Sequence, residues 1–255
     1  MDIYDLYQQA VQGPEADVEF FDRAYREVRG REPLTLREDF AGTAYLSSEW
    51  VRSHLERRAW AVDIDPEPLD WGRRHNLVEP DLATRVELIE ADVMEAETPR
   101  VDVVSALNFS CCILRRREEL RRYFEVARDH LERDGLLILD LSGGTEAIIA
   151  TTEERQLDGF TYIWEQASYN PIDHQGRCAI HFELDDGTRF DSAFAYDWRL
   201  WTIAEIRDLL LEVGFADLQV YWEAVDDSGE GTGEYRRTEE EENQEGWLVY
   251  LVAVR

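Results

Sequence analysis

The chain has 255 residues, 44% of them hydrophobic, enough for a packed core, and it contains no apolar run of the roughly 18 residues a membrane-spanning helix needs. Asp and Glu number 56 against 27 basic residues, every one an arginine, so the formal charge is −29. Such a surplus repels a phosphate backbone and argues against nucleic acid as a partner. It also destabilises a compact state unless salt screens it, so the composition points to a salt-adapted, halophilic proteome. The N-terminus, MDIYDLYQQA, lacks the basic-then-apolar pattern of a secretory signal, and a soluble cytoplasmic protein is expected. Three cysteines, two of them adjacent (Cys111 and Cys112), and five scattered histidines suggest neither a disulfide framework nor a metal site.

Alternating β and α signals occupy the first 145 residues. DVEFFDRAYREVRG (17–30) repeats apolar and aromatic residues at three- and four-residue steps and stops at Gly30, which describes a helix. PLTLRED (33–39) is a short strand, and SSEWVRSHLER (47–57) a helix with a serine start. RAWAVDID (58–65) is a second strand, followed by a helix that prolines open, PEPLDWGRRHN (66–76). RVELIEAD (85–92) and VDVVSALNF (101–109) are the third and fourth strands. EELRRYFEVARDHLERDG (118–135) is a long amphipathic helix with a solvated, arginine-rich face, and LLILDLSGG (136–144) is the fifth strand. Val-, Ile- and Leu-rich strands separated by helices describe a parallel sheet.

The second half changes character. FTYIWEQASYN, RCAIHFELDDG and TRFDSAFAYDW are three β-like stretches separated by turns, an antiparallel meander inserted after strand five. In the second, Cys178, Ile180, Phe182 and Leu184 point one way, and Ala179, His181 and Glu183 the other. TIAEIRDLLLEVGF restores the α/β pattern, with a capping box from Thr202 and Glu205. ADLQVYWEA and GWLVYLVAVR form a terminal antiparallel pair around a polar, acidic loop, DDSGEGTGEYRRTEEEENQEG. The expected architecture is therefore α/β, with a Rossmann-like seven-stranded sheet and an antiparallel cap over about 155–200. Residues 31–150 form the core, and 201–255 the last helix and hairpin of a single domain.

Ligands of open α/β sheets sit beyond the carboxyl ends of the strands. Those ends carry Glu38-Asp39, Asp63 and Asp65, Asp92, and Asn108-Phe109-Ser110, more acids and amides than a solvated rim requires. Here the sequence resembles the class I S-adenosylmethionine-dependent methyltransferases, and more closely a small-molecule branch sharing LREDF-x-GTA and NFS. EDFAGTA resembles the first motif, acid-x-Gly-x-Gly-x-Gly, with Phe40 and Ala44 where two of the glycines stand. VDIDPEPL, IEADV and ALNFS resemble the second, third and fourth motifs.

The resemblance implies S-adenosylmethionine as cofactor. It places Glu38, Asp39, Phe40, Gly42, Thr43 and Ala44 in the loop that holds it, Asp63 with Ile64 at the ribose, and Asp92 with the Val93 amide at the adenine. Asn108 stands at the mouth of the active site, and residues 1–30 form a helical lid. Arg37, beside the loop, is the candidate cation for the cofactor's carboxylate. Gly42 keeps the closest backbone approach.

Aromatic walls suit a methylsulfonium. Tyr4, Trp164, Tyr196 and Arg199 are the candidate substrate contacts. Tyr7 and His181 are candidate catalytic groups, with Glu165 a further possible base. The expected activity is methyl transfer to a small-molecule N- or O-nucleophile. The alternatives are a protein or RNA methyltransferase and a non-catalytic S-adenosylmethionine-binding regulator.

Overall fold

The computed structural model describes residues 1–226 and 231–255; part of the expected acidic loop, 227–230, lies outside the described residues. Five parallel strands form one side of the larger sheet: β1 (Thr35–Asp39), β2 (Arg58–Asp63), β3 (Val86–Glu90), β4 (Val101–Ala106) and β5 (Leu131–Gly143). A smaller sheet holds β6 (Thr151–Leu157), β7 (Phe160–Asn170), β8 (Gln175–Leu184) and β9 (Arg189–Arg199). Then come β10 (Asp217–Val225), β11 (Gly231–Thr238) and β12 (Trp247–Val254). The larger sheet runs β11-β10-β12-β5-β4-β1-β2-β3, with β12, β10 and β11 antiparallel to their neighbours.

The helices are α1 (Ile3–Val11), α2 (Pro14–Arg29), α3 (Tyr45–Ser53), α4 (Pro66–His75), α5 (Pro80–Arg85), α6 (Arg117–His130) and α7 (Ile203–Glu212). Among the described residues, none is long and apolar enough to cross a membrane. Leu136 and Ile138 of β5 pack with α2 and α3 on one face of the sheet, while Leu137 and Leu139 pack with α6 and α7 on the other. This two-sided burial is why β4 and β5 read as continuous apolar runs. Strand β1 pairs with β2 on one side and β4 on the other, so the chain reverses its direction of winding there. A crevice opens beyond the carboxyl ends of β1 and β4 at that switch point.

The structure corrects several sequence expectations. The large sheet has eight strands rather than seven, because Gly231–Thr238 pairs with β10 from Val220↔Thr238 to Val225↔Gly231. Its sequence is mostly polar and charged, as befits a solvated edge strand, and Tyr235 turns inward, 4.5 Å from the Tyr250 ring. The cap has four strands and begins at Thr151, before the expected 155, because TTEERQL gains its hydrogen bonds from β7 despite lacking apolar alternation. The helix expected over 118–135 ends at His130, since the buried Leu131 is captured by the ladder beside Val101. Helix α3 starts at Tyr45, without a serine cap. The capping box of Thr202 and Glu205 is formed as expected. All three cysteines are free and buried.

Candidate active site

The loop between β1 and α3 holds Phe40, Gly42 and Ala44 at φ of 58°, 53° and 53°. Glycine adopts this left-handed region freely, but phenylalanine and alanine do so only when their surroundings hold them there. Four contacts supply that restraint. The Gly42 amide donates to Asp63 Oδ2 at the end of β2, at 2.7 Å. Gln8 of α1 donates through Nε2 to Thr43 Oγ1 at 2.7 Å, and the buried Asn76 donates through Nδ2 to the Thr43 carbonyl at 2.8 Å. Below, α4 passes at Gly72, where an added Cβ would lie 2.0 Å from the Thr43 oxygen. The Phe40 ring packs under the loop 5.6 Å from the Tyr123 ring, and also lines the cleft above.

Strand period two separates the carboxylates of β1 by role. Arg37 and Asp39 point to one face, where Arg37 Nε donates to Asp39 Oδ1 at 2.7 Å. The same guanidinium donates to the carbonyls of Val93 and Ala96, at 2.6 and 3.1 Å, and the Tyr123 hydroxyl donates to Asp39 at 3.0 Å. Arg37 is therefore not placed for the role expected of it. Fully buried and saturated, it braces β1 against the connection into β4 and presents no cation to a ligand. The Asp39 side chain shares that interior position.

Glu38 faces the other way, into the cleft. Ser47 donates to its Oε2 through N at 2.9 Å and Oγ at 2.5 Å, and burial pushes the carboxyl up to about 8. Gln12, Asp17, Glu38, Phe40 and Asn108 line a narrow cleft of about 20 Å³. Burial raises Asp17 to about 6, opposed by a hydrogen bond from the Tyr250 hydroxyl. Gln12 Oε1 is buried there with no hydrogen-bond partner among the described residues.

The remaining strand ends flank this cleft. Asp63 Oδ1 accepts the Asp65 amide at 2.9 Å, and the neighbouring Ile64 is exposed. Asp92 is exposed and accepts the Met94 amide at 2.8 Å, while Val93 is buried. After β4, Asn108 and Phe109 both take left-handed conformations, φ 56° and 58°. Asp140 of β5 holds them: its two carboxylate oxygens accept the amides of Asn108 and Phe109, each at 2.8 Å. Burial lifts Asp140 to about 7, against the lowering effect of those amides.

Helix α1 closes the site from above. Its Asp2 accepts from Trp71 Nε1 of α4 at 2.7 Å, and Leu6 and Ala10 pack with Phe160, Ile180 and Phe182 of the cap. Tyr4 lies 5.7 Å from the Trp71 ring, and burial together with Glu67, Asp65 and Asp63 nearby lifts its hydroxyl to about 12. It therefore stands over the end of β2 rather than in the cavity under the cap.

That cavity, about 330 Å³, is bounded by Tyr7, Asn108, Phe109, Trp164, Tyr196 and Trp198, among others. Two expectations are corrected here. His181 points to the opposite face of the cap, where Nε2 lies 3.1 Å from Glu165 and Nδ1 accepts the Ser192 amide at 3.0 Å. Strand alternation forces this, since its neighbour Ile180 faces the cavity. Arg199 likewise turns away, donating to Glu205 at 2.8 Å and covering the Trp201 ring. Tyr7 does face the cavity, but burial and its hydrogen bond with Tyr196 raise its hydroxyl well above the usual value, so it stays protonated.

Sequence reading missed Gln12, Asp17, Gly72, Asn76 and Asp140. Only Asp140 carried a local signal, a lone acid inside the apolar strand LLILDL.

No protein-family model and no curated protein matches the chain. Solved structures do match in fold, among them several S-adenosylmethionine-dependent methyltransferases. The sugar N-methyltransferase KedS8 from Streptoalloteichus sp is 20% identical, with a TM-score of 0.67 over 100% of this chain and 93% of that one. The S-adenosylmethionine-bound amino pentose methyltransferase CalS10 from Micromonospora echinaspora is 14% identical, with a TM-score of 0.68 over 99% and 97%. A methyltransferase from Clostridium acetobutylicum is 17% identical, with a TM-score of 0.66 over 97% and 96%. At these identities the likeness establishes the α/β fold with its parallel-centred sheet and separate antiparallel sheet.

Proposed function

We propose that this chain transfers a methyl group from S-adenosylmethionine to a small-molecule amine. One juxtaposition carries the reading: a left-handed loop anchored on Asp63 and an acidic cleft with an orphaned acceptor meet an aromatic cavity across Asn108. The residues present fit the cofactor. Buried Glu38 and half-buried Asp17, with Gln12 Oε1 unpartnered among the described residues, suit an ammonium group, Asp63 suits vicinal hydroxyls, and exposed Asp92 suits an exocyclic amine. When bound, S-adenosylmethionine supplies an electrophilic methyl on a sulfonium.

The chain's own groups then position and shield. Helix α1 and the cap roof the cavity and exclude water, and holding the acceptor in line can contribute roughly 7–11 kcal/mol in ideal cases. In the transfer a neutral amine nitrogen bonds to the methyl carbon as the carbon–sulfur bond breaks, its electron pair passing to sulfur. No proton need move in that step. An amine acceptor therefore suits a cavity whose Tyr7 is held protonated and from which His181 is turned away. The amine substrates named for KedS8 and CalS10 agree with this choice.

Calorimetry with S-adenosylmethionine and S-adenosylhomocysteine, in salt that keeps the chain folded, tests the reading; absence of binding by both overturns it. Binding should release protons near neutral pH. Glu38 stands at about 8, so it is largely protonated at pH 7, and an ammonium beside it favours the carboxylate. The binding enthalpy should then differ between buffers of different ionisation enthalpy at pH 7, and converge above roughly pH 9. A methyl-transfer assay over a panel of small amines separates an enzyme from a non-catalytic binder.

A further inference from the structure

The cavity beneath the cap is selective in charge as well as in size. Its walls are aromatic: the Tyr196 ring stacks on Trp198 at 4.7 Å, Trp164 lies 5.6 Å from Trp198, and Phe109 meets it edge-on at 5.9 Å. Tyr162 and Trp247 extend the same lining. Three carboxylates, Glu146, Glu153 and Glu245, also border it, and no arginine or histidine does so among the described residues. None of the three is hydrogen-bonded through its carboxylate or paired with an arginine among the described residues. The arginines closest in sequence to the lining already have partners: Arg155 donates to the Ala10 carbonyl and lies 5.2 Å over the Tyr162 ring, Arg177 pairs with Asp197, and Arg199 donates to Glu205.

Aromatic faces attract a cation through the ring quadrupole, and unpaired carboxylates add to that attraction. A phosphate or carboxylate in the same space would meet three like charges, and the guanidinium over the Tyr162 ring, Arg155, already donates to the Ala10 carbonyl. Resting on the reading of this cavity as the acceptor site, we propose that the acceptor binds there as a phosphate-free cation, an ammonium or N-alkylated ammonium. The sulfonium-facing end is the Asn108-Phe109 side, which the cavity shares with the acidic cleft through Asn108. The amine head belongs there; the ammonium passes its proton to one of the bordering glutamates before the transfer step, so that a neutral nitrogen attacks the methyl carbon. This charge preference also means that a partly methylated amine, which keeps its positive charge, still fits the lining.

The test uses the full chain saturated with S-adenosylhomocysteine and three probes: choline, its uncharged carbon isostere 3,3-dimethylbutanol, and uridine diphosphate. Choline should bind roughly fivefold or more tightly than the isostere, and uridine diphosphate should not bind. Trp164→Leu should weaken choline binding by roughly tenfold and Glu153→Gln by roughly threefold, each leaving the affinity for S-adenosylhomocysteine unchanged. Isostere binding as tight as choline, binding of uridine diphosphate, or binding of none of the three overturns the proposal. Failure of S-adenosylhomocysteine itself to bind would instead overturn the cofactor reading.

Discussion

Replacing Asp63 with alanine is expected to lower the affinity for S-adenosylmethionine and S-adenosylhomocysteine by roughly tenfold to a hundredfold. A hydrogen bond to a charged group contributes about 1.5–3 kcal/mol, and each 1.4 kcal/mol is about tenfold in affinity. Asp63 also anchors the loop, because its Oδ2 accepts the Gly42 amide, so alanine releases the loop backbone there as well. Asp63→Asn separates the two effects: its amide oxygen can still receive Gly42, while its amino group cannot accept a ribose hydroxyl. Calorimetry on both variants reads the difference. Affinity unchanged in Asp63→Ala would remove this residue from the cofactor site and with it the motif register that placed it there.

The second large effect falls on Asp140. Asp140→Ala leaves the amides of Asn108 and Phe109 without their acceptor, and two residues in left-handed conformations without their restraint. Each orphaned part-buried donor costs up to about 1–3 kcal/mol, so a loss of about 2–6 kcal/mol is the upper expectation for the pair, read as a lower denaturation midpoint at unchanged slope. Asp140→Asn keeps one oxygen and should lose less. The pH profile gives an independent signature. The carboxyl sits at about 7 in the fold and about 3.9 when unfolded, so the folded state holds the proton more tightly. Its stabilising contribution is full below about pH 4 and declines as pH rises towards 7. That slope should flatten in Asp140→Asn. Wild-type stability in the alanine variant would show that the turn after β4 is held by something else.

Much of this chain was legible because its signals are local. Continuous or alternating apolar runs and helical stripes with capping residues announce β1 to β5, α4, α7 and the cap's β7, β8 and β9 from the sequence alone. The strand-end acids followed from those boundaries. The strands that escaped, β6 and β11, have polar sequences and exist because a neighbouring strand offers hydrogen bonds, a property no window of their own residues contains; the short helix α5 escaped as well.

Side-chain destinations divide in the same way. The sequence alone determined that His181 and Ile180 face opposite sides of β8, since the period of a strand is intrinsic to its backbone. Which side held the cavity, and so that His181 lies outside it, depended on where the cap sheet docks. Likewise the period of β1 puts Arg37 and Asp39 on one face and Glu38 on the other. Only the fold decided that the Arg37 face is interior, because its acceptors at Val93 and Ala96 arrive from more than fifty residues away. A buried guanidinium goes where carbonyls and a carboxylate can compensate its desolvation, and tertiary packing alone decides where those are.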